Sequence, residues 1–368
     1  MQTRSESLTS PKRVVVVGAG GNIGSHLVSH LARMSGLDCI TLIDRDVYEL
    51  ANLRSQDITP GDVGKFKAHV QALKLRRINR AIQVNAVAEA VERVPLGRLR
   101  AAAILACLDS RIARQHVNQF AWRLGVPLID AGVEPGSLLA RINVYVPGPE
   151  HPCLECAWDD RDYQALEQTY ACRGATTSAP PTNAPSSLGA LAASLQAIEC
   201  QKILSGHHGL VAVSRQVLVD ASHHRHFVTA FRRNSNCRFA GHEVWRIEKL
   251  DHSPREMTVA DALTLGRRNG SGVLRIEGKP FATRLTCPSC GEGRRIFALE
   301  CSLGRSKRRC GRCGSRTVAN GFDLLEELDG STLKTAVRNR SLWSLGLRSA
   351  EIFTIRHDDA ELHYELSG

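Results

Sequence analysis

The apolar positions near the N-terminus come in unbroken runs. Val14 to Val17 are four consecutive valines, apolar on both faces, as a strand enclosed in a parallel sheet requires. The run stops at Gly18-Ala19-Gly20-Gly21, where the backbone can turn sharply and approach a neighbour closely. Ile23, Leu27, Val28 and Leu31 then share one face of a helix, and a second apolar strand, Cys39 to Ile43, ends at Asp44. A strand, a glycine turn and a helix aim free N–H groups and a positive helix end at one point, which suits a phosphate. Asp44, at the tip of the next strand, can accept hydrogen bonds from ribose hydroxyls. The stretch predicts a nucleotide site. Its glycines, at 18, 20, 21 and 24, depart from G-x-G-x-x-G, since position 23 is isoleucine.

The alternation of strands and helices continues to about residue 205, which predicts an α/β sheet with parallel strands. Helices are expected over 64–77, 95–100, 111–124 and 188–204, and strands over 82–86, 103–108 and 126–131. Leu139 to Val146 alternates apolar and polar residues and reads as an antiparallel portion. Tyr170 to Pro185, rich in Thr, Ser, Ala and Pro, reads as a surface loop. Gln216 to Val219 reads as the last strand. Beyond about residue 246 the elements shorten, two more cysteine pairs appear, and Leu342 to Leu366 is patterned as helix then strand. The expected fold is a doubly wound, Rossmann-like, mostly parallel sheet with an antiparallel extension, plus a small C-terminal α+β domain containing a zinc ribbon. The expected divisions are a polar tail over 1–11, the α/β domain over 12–246 and an accessory domain over 247–368.

Composition changes this picture in three places. No run approaches the roughly twenty apolar residues of a membrane span, and the first twelve residues are polar, so a cytoplasmic protein is expected. The net charge of +11 gathers near the C-terminal cysteines. Aromatic residues are only 5%, which argues against a base-stacking platform, so nucleic acid is not an expected partner. A solvated basic face or an acidic protein partner fits better. Twelve cysteines, several at C-x-x-C spacing in a chain of 368 residues, favour metal over disulfides.

Polar residues suited to a triphosphate follow the glycine turn in order. They are Asp44-Arg45-Asp46, Asn52 to Gln56, Gly64-Lys65-Phe66-Lys67, and Asp109 at a later strand tip, the edge where doubly wound sheets bind ligands. Adenylate formation needs cations on the phosphates, a carboxylate to hold magnesium and a positioned attacking carboxylate, but no general base. Lys, Arg, Asn and Asp meet that list. A nicotinamide-linked oxidoreductase on the same fold would leave them unexplained.

The ordered set GAGGNIGS, LIDRD, ANLRSQ, DVGKFKA, CLDS, ARQHVN, VPLIDAGV, PCLEC and SLQAIECQKILSG, over about residues 12–242, resembles the ThiF/HesA/MoeB family, the adenylating core of ubiquitin-activating enzymes. The resemblance implies ATP- and magnesium-dependent adenylation of the C-terminal carboxylate of a ubiquitin-like or sulfur-carrier protein, with release of pyrophosphate. It further implies a homodimer, with a conjugating enzyme or sulfurtransferase downstream. By position it assigns Gly18, Gly20 and Gly21 to close nucleotide approach, Asp44 to the ribose with Asp46 beside it, Asn52 and Lys67 to the phosphates, and Asp109 to magnesium. Lys65 competes for the phosphate role, and the G-x-x-K register favours Lys67. Two departures stand out. One extra residue precedes Gly24 in the turn, and Ser55 occupies the position of the family arginine, with Arg54 one place early. A non-catalytic partner subunit is the reading those departures leave open.

Cys153 and Cys156 in PCLEC can take one edge of a zinc tetrahedron. The family often completes this site with a second cysteine pair after the crossover helix, and here Cys237 and His242 are the available ligands. Cys287, Cys290, Cys310 and Cys313 form two C-x-x-C-G knuckles, a filled structural zinc site. Cys301 between them is expected as a packed thiol, and Cys39, Cys107 and Cys200 as core. Cys172, in the Ser/Thr/Pro loop where many relatives carry a cysteine, can attack an acyl-adenylate to form a thioester. His223, His224 and His226 are expected in a surface or interface role.

Overall fold

The computed structural model describes residues 12–170, 184–266, 272–358 and 360–368. The chain divides into two compact units. The first runs to Val91 and resumes over Leu99–Val244; the second comprises Glu92–Arg98 and Trp245–Gly368.

The first unit opens with β1 (Arg13–Val17), α1 (Asn22–Leu31), β2 (Cys39–Ile43), α2 (Lys67–Ile78), β3 (Gln83–Val87), β4 (Ala103–Ala106) and α3 (Arg111–Arg123). It continues through β5 (Leu128–Glu134), β6 (Leu139–Tyr145), α4 (Asp160–Tyr170), α5 (Ser186–Leu204), β7 (Arg215–Asp220) and β8 (Arg225–Ala230). Eight strands form one sheet in the order β3-β2-β1-β4-β5-β6-β7-β8. Pairing is parallel from β3 to β5 and antiparallel from β5 to β8. The expected doubly wound sheet with an antiparallel extension is what forms.

Burial explains the unbroken apolar runs. Val14 and Val16 pack with Leu27, Val28 and Leu31 of α1, with Leu75 of α2, and with Leu188, Ala192 and Ala193 of α5. Val15 and Val17, which point to the opposite face by the strand's period of two, are equally buried. The strand order reverses direction between β1 and β4, and at such a switch point the carboxyl ends of the strands open a crevice. Gln196 of α5 braces this edge. Its amide donates to the carbonyls of Ala106 (3.2 Å) and Ile129 (2.7 Å), and its oxygen accepts from the Cys107 thiol at 3.2 Å.

The second unit holds β9 (Ile247–Lys249), α6 (Val259–Thr264), β10 (Val273–Arg275), β11 (Phe281–Thr286) and β12 (Gly293–Leu299). Then come β13 (Leu324–Leu325), β14 (Glu327–Asp329), α7 (Thr335–Arg338), β15 (Ile352–His357) and β16 (Ala360–Glu365). They make a five-stranded sheet, β14-β10-β15-β16-β9, and a three-stranded one, β12-β11-β13. Leu274, Phe353, Ile355, Tyr364 and Leu342 form its core.

Several expected boundaries differ. The helix expected over 95–100 is a 3-10 turn, Leu96–Leu99. Most of it belongs to the second unit, because Gly97 N–H donates to the Ala350 carbonyl at 2.9 Å and Val94 accepts from Lys279 Nζ, also at 2.9 Å. Lys279 and Glu351 pair at 2.7 Å, both only 2% exposed. A further strand, β8, follows the one expected over 216–219; it is exposed along its whole length, so no buried face marks it in the sequence. The helix expected after Leu342 is a single 3-10 turn, Leu342–Leu345, stopped by left-handed Gly346.

Candidate nucleotide site and cysteine clusters

Gly18 follows β1 with φ +79°, and a Cβ there would lie 2.4 Å from the carbonyl oxygen of Cys107 at the end of β4. The glycine therefore lets the two strand ends of the crevice close on each other. Helix α1 starts immediately after the turn, with Gly21 as N-cap, no side-chain cap and no acidic residue in its first turn. No side chain of the helix itself therefore offsets its positive end, and the Asp44 carboxylate reaches only the Gly20 N–H ahead of it. The extra residue ahead of Gly24 does not open the turn. A Cβ on Gly24 would lie 2.2 Å from the Gly18 carbonyl oxygen.

Gly20 is held from two sides. Its N–H donates to Asp44 Oδ2 at 2.8 Å, and its missing Cβ leaves room for Lys67, whose own Cβ would sit 2.4 Å from it. Lys67 begins α2, is only 8% exposed, and lays its ammonium 5.5 Å from the centre of the Tyr48 ring. Tyr48 is fixed by Gln71, whose amide donates to the phenol oxygen at 2.7 Å. Asp44 also accepts from the Asp46 N–H at 3.0 Å. Burial raises the Asp44 carboxyl above its ordinary value, against the opposing pull of those two N–H groups and of Lys67. A carboxylate has about four acceptor positions, so Asp44 retains capacity for hydroxyl donors.

Asp109 lies exposed past β4, just before Ser110, whose hydroxyl accepts from the Ala113 N–H to cap α3. Asp46 is exposed. Asn52 sits in the 3-10 turn Leu50–Arg54 and its Oδ1 accepts from the Glu49 N–H at 2.9 Å, so that oxygen is already engaged within its own turn. Arg54 in the same turn is exposed. Cys172 lies outside the described residues.

Three residues that motif reasoning passed over shape this edge. Asp130 of β5 is fully buried and accepts from Arg114 and, at 3.1 Å, from Arg141. Arg114 also donates to the carbonyls of Leu108 and Ala131. It thereby clamps the backbone next to Asp109. Arg114 and Asp130 lie within quoted motifs, but nothing local in the sequence reveals that they meet.

The four ligand atoms of Cys153, Cys156, Cys237 and His242 all lie within 4.8 Å of one another. The Cys153 sulfur is 3.9 Å from that of Cys156, 3.8 Å from that of Cys237 and 3.0 Å from His242 Nε2. Zinc–sulfur bonds of about 2.3 Å give tetrahedral edges of about 3.8 Å, so the donor set and its spacing fit zinc. Trp122 donates its indole N–H to the His242 carbonyl and meets the imidazole edge-on at 5.1 Å. Cys287, Cys290, Cys310 and Cys313 satisfy the same criterion, with sulfur pairs at 3.4 and 3.7 Å. Each knuckle closes through a left-handed glycine, Gly291 and Gly314, whose N–H returns to the first cysteine's carbonyl. Cys39, Cys107 and Cys200 are core residues, and Cys301 is partly buried against the second unit's core. His223, His224 and His226 lie in and after the exposed turn between β7 and β8.

The ThiF family model matches residues 4–239. The sulfur carrier protein ThiS adenylyltransferase of Escherichia coli K12 is 29% identical over 232 residues, spanning 62% of this chain and 86% of that protein. The SAMP-activating enzyme E1 of Haloferax volcanii is 27% identical over 244 residues, spanning 65% of this chain and 84% of its own length. A crystal structure of E. coli MccB with ATP superposes with a TM-score of 0.52 at 25% identity, covering 62% of this chain and 66% of that one. The chain belongs to the ThiF family. It is an ATP-dependent adenylyltransferase. No helix among the described residues is long and apolar enough to cross a membrane.

Two outcomes follow from this geometry. Gly20→Ala drives a methyl into the stem of Lys67 and should weaken ATP binding, read by calorimetry, by about tenfold or more, since a packed site does not absorb such a contact freely; unchanged affinity would show that Lys67 need not lie against the turn. Elemental analysis of the full chain should find one zinc for each of the two clusters. Cys153→Ser should lose one and Cys290→Ser the other, and a cluster whose variant keeps the full complement is not a zinc site.

Proposed function

We propose that this protein adenylates the C-terminal carboxylate of a ubiquitin-like or sulfur-carrier protein, using ATP and releasing pyrophosphate. The observation that carries the reading is the meeting of Lys67, Gly20 and Asp44 at the switch-point crevice, with Asp109 on the next strand end. Gly18, Gly20 and Gly21 admit the phosphates to the free end of α1. Asp44 takes the ribose hydroxyls, with Asp46 at the rim. Lys67, buried and cationic, offsets charge on the phosphates as the carrier carboxylate attacks the α-phosphorus and pyrophosphate leaves. Asn52 can offer its amide N–H groups, and Arg54 is the mobile-length cation available where the family arginine is replaced by Ser55. Magnesium, held by Asp109, would supply charge neutralisation on the departing phosphates. The relatives' names, a ThiS adenylyltransferase and a SAMP-activating enzyme, support a small protein as the acceptor.

Two further elements belong to the proposal. The enzyme works as a cytoplasmic homodimer, and it hands its product to a conjugating enzyme or sulfurtransferase. In the second half-reaction the Cys172 thiolate attacks the acyl carbon of the carrier adenylate. A C–S bond forms, the C–O bond to AMP breaks, and AMP leaves.

ATP–pyrophosphate exchange in the presence of candidate carriers tests the first step. Asp109→Ala should abolish exchange, by at least about a hundredfold for the loss of a metal ligand, while leaving the protein folded; retained exchange would remove Asp109 from the site. For the second step, wild type with carrier and ATP should give a thiol-reducible adduct that is missing in Cys172→Ala. An adduct that survives the substitution excludes the thioester.

A further inference from the structure

The second unit carries a strongly basic surface that adenylation leaves unused. Between Phe281 and Ala319 there are nine Lys and Arg against two Glu, a net of +7 out of the chain's +11. The placement of these residues is unusual. In the hairpin β11–β12, Arg284 lies directly opposite Arg295, and in the second knuckle Arg309 lies directly opposite Arg316. All four are exposed, and among the described residues none has a carboxylate within ion-pair distance. Like charges directly opposite on an antiparallel pair destabilise it. One such pair on the three-stranded sheet and another in the second knuckle therefore both work against stability.

The sheet also holds one arginine in a spread position. The Arg284 guanidinium lies across Gly293, its nearest nitrogen 2.3 Å from where a Cβ on that glycine would be. On the other edge of β11, Leu324 pairs with Ala282. Phe322 lies in the 3-10 turn Gly321–Asp323, between the Ala282–Leu324 pair and the Thr286–Val318 bridge that bracket Arg284 along β11. The Thr283 hydroxyl fixes the turn by donating to the Asp323 carbonyl at 3.0 Å. Phe322 is 84% exposed. The part of β11 that carries Arg284 is thus flanked by Arg295 on one side and by the turn that bears an open aromatic ring on the other.

We propose that this ribbon sheet binds single-stranded nucleic acid, the paired arginines taking phosphates and Phe322 stacking on a base. A protein partner would need an apolar, charge-depleted centre to dock on, and this face offers Phe322 with only a partly exposed Leu325 beside it. A phosphate backbone needs only an array of cations, and arginine's planar fork suits it. Any base can stack on the ring, so the contact is sequence-tolerant. The scarcity of aromatics along the whole chain weighs against stacking only until tertiary structure places one ring among the arginines.

The test is fluorescence anisotropy of a labelled oligothymidine of about twenty nucleotides with the full-length protein, titrated with salt; each phosphate contact contributes about −0.7 to the slope of log affinity against log salt. Arg295→Gln with Arg316→Gln should reduce that slope by about 1.4 and weaken binding by about tenfold or more at physiological salt. The same double variant should melt at an unchanged or higher temperature, because it removes the opposed charges, and should keep its zinc and its pyrophosphate exchange. Phe322→Ala should weaken binding by about tenfold with the slope unchanged. Absence of salt-dependent binding, binding that ignores all three substitutions, or equal competition by polyglutamate of matched length would each overturn the proposal; the last would reassign the surface to an acidic protein.

Discussion

A lysine stem lying where a side chain on Gly20 would have to go is the constraint around which the nucleotide crevice is arranged. Because Gly20 is bare, Lys67 can enter the turn from the start of α2 while remaining almost wholly buried. Its charge then faces the buried carboxyl of Asp44, whose ionised form desolvation disfavours. A buried ion alone costs several kcal/mol. Here the N–H groups of Gly20 and Asp46 and the ammonium of Lys67 share that burden. The turn, the strand tip and the helix start are therefore electrostatically linked.

Behind that unit the sheet edge is braced rather than merely packed. Gln196 satisfies carbonyls on two neighbouring strands, and the fully buried Asp130 is bound by two arginines, one of which grips the backbone beside Asp109. Removing either partner of such a pair would strand a charge out of water. The edge beside Asp109 thus draws rigidity from buried polar groups.

The two clusters would give a metal a different part in each unit. The Cys153–His242 cluster joins the segment before α4 to the chain that follows β8, with Trp122 and Phe239 packed around the imidazole. The second cluster ties two knuckles of a sheet whose own apolar core is only a handful of residues. A core that small gives little net stability, which ligand bonds to a metal would raise.

Local pattern was enough to read the parallel strands, the glycine turn, α1, α3, α5 and both cysteine sets, because each is written in a short period or spacing. Val14 to Val17 can hardly be anything but a strand covered on both faces, and C-x-x-C-G describes a knuckle almost completely. What local pattern could not carry were pairings between distant residues. The transfer of Glu92–Arg98 to the second unit depends on Gly97 meeting Ala350 and Val94 meeting Lys279. The exposed strand β8 exists because β7 offers it hydrogen bonds, and the clamp on Asp109 exists because Arg114 and Asp130 converge. Sequence alone determined the enclosed strands, the glycine turn and the cysteine spacings. Tertiary structure decided which charges face each other, since hydrogen-bond partners and electrostatic neighbours are set by distance in space and not by spacing along the chain.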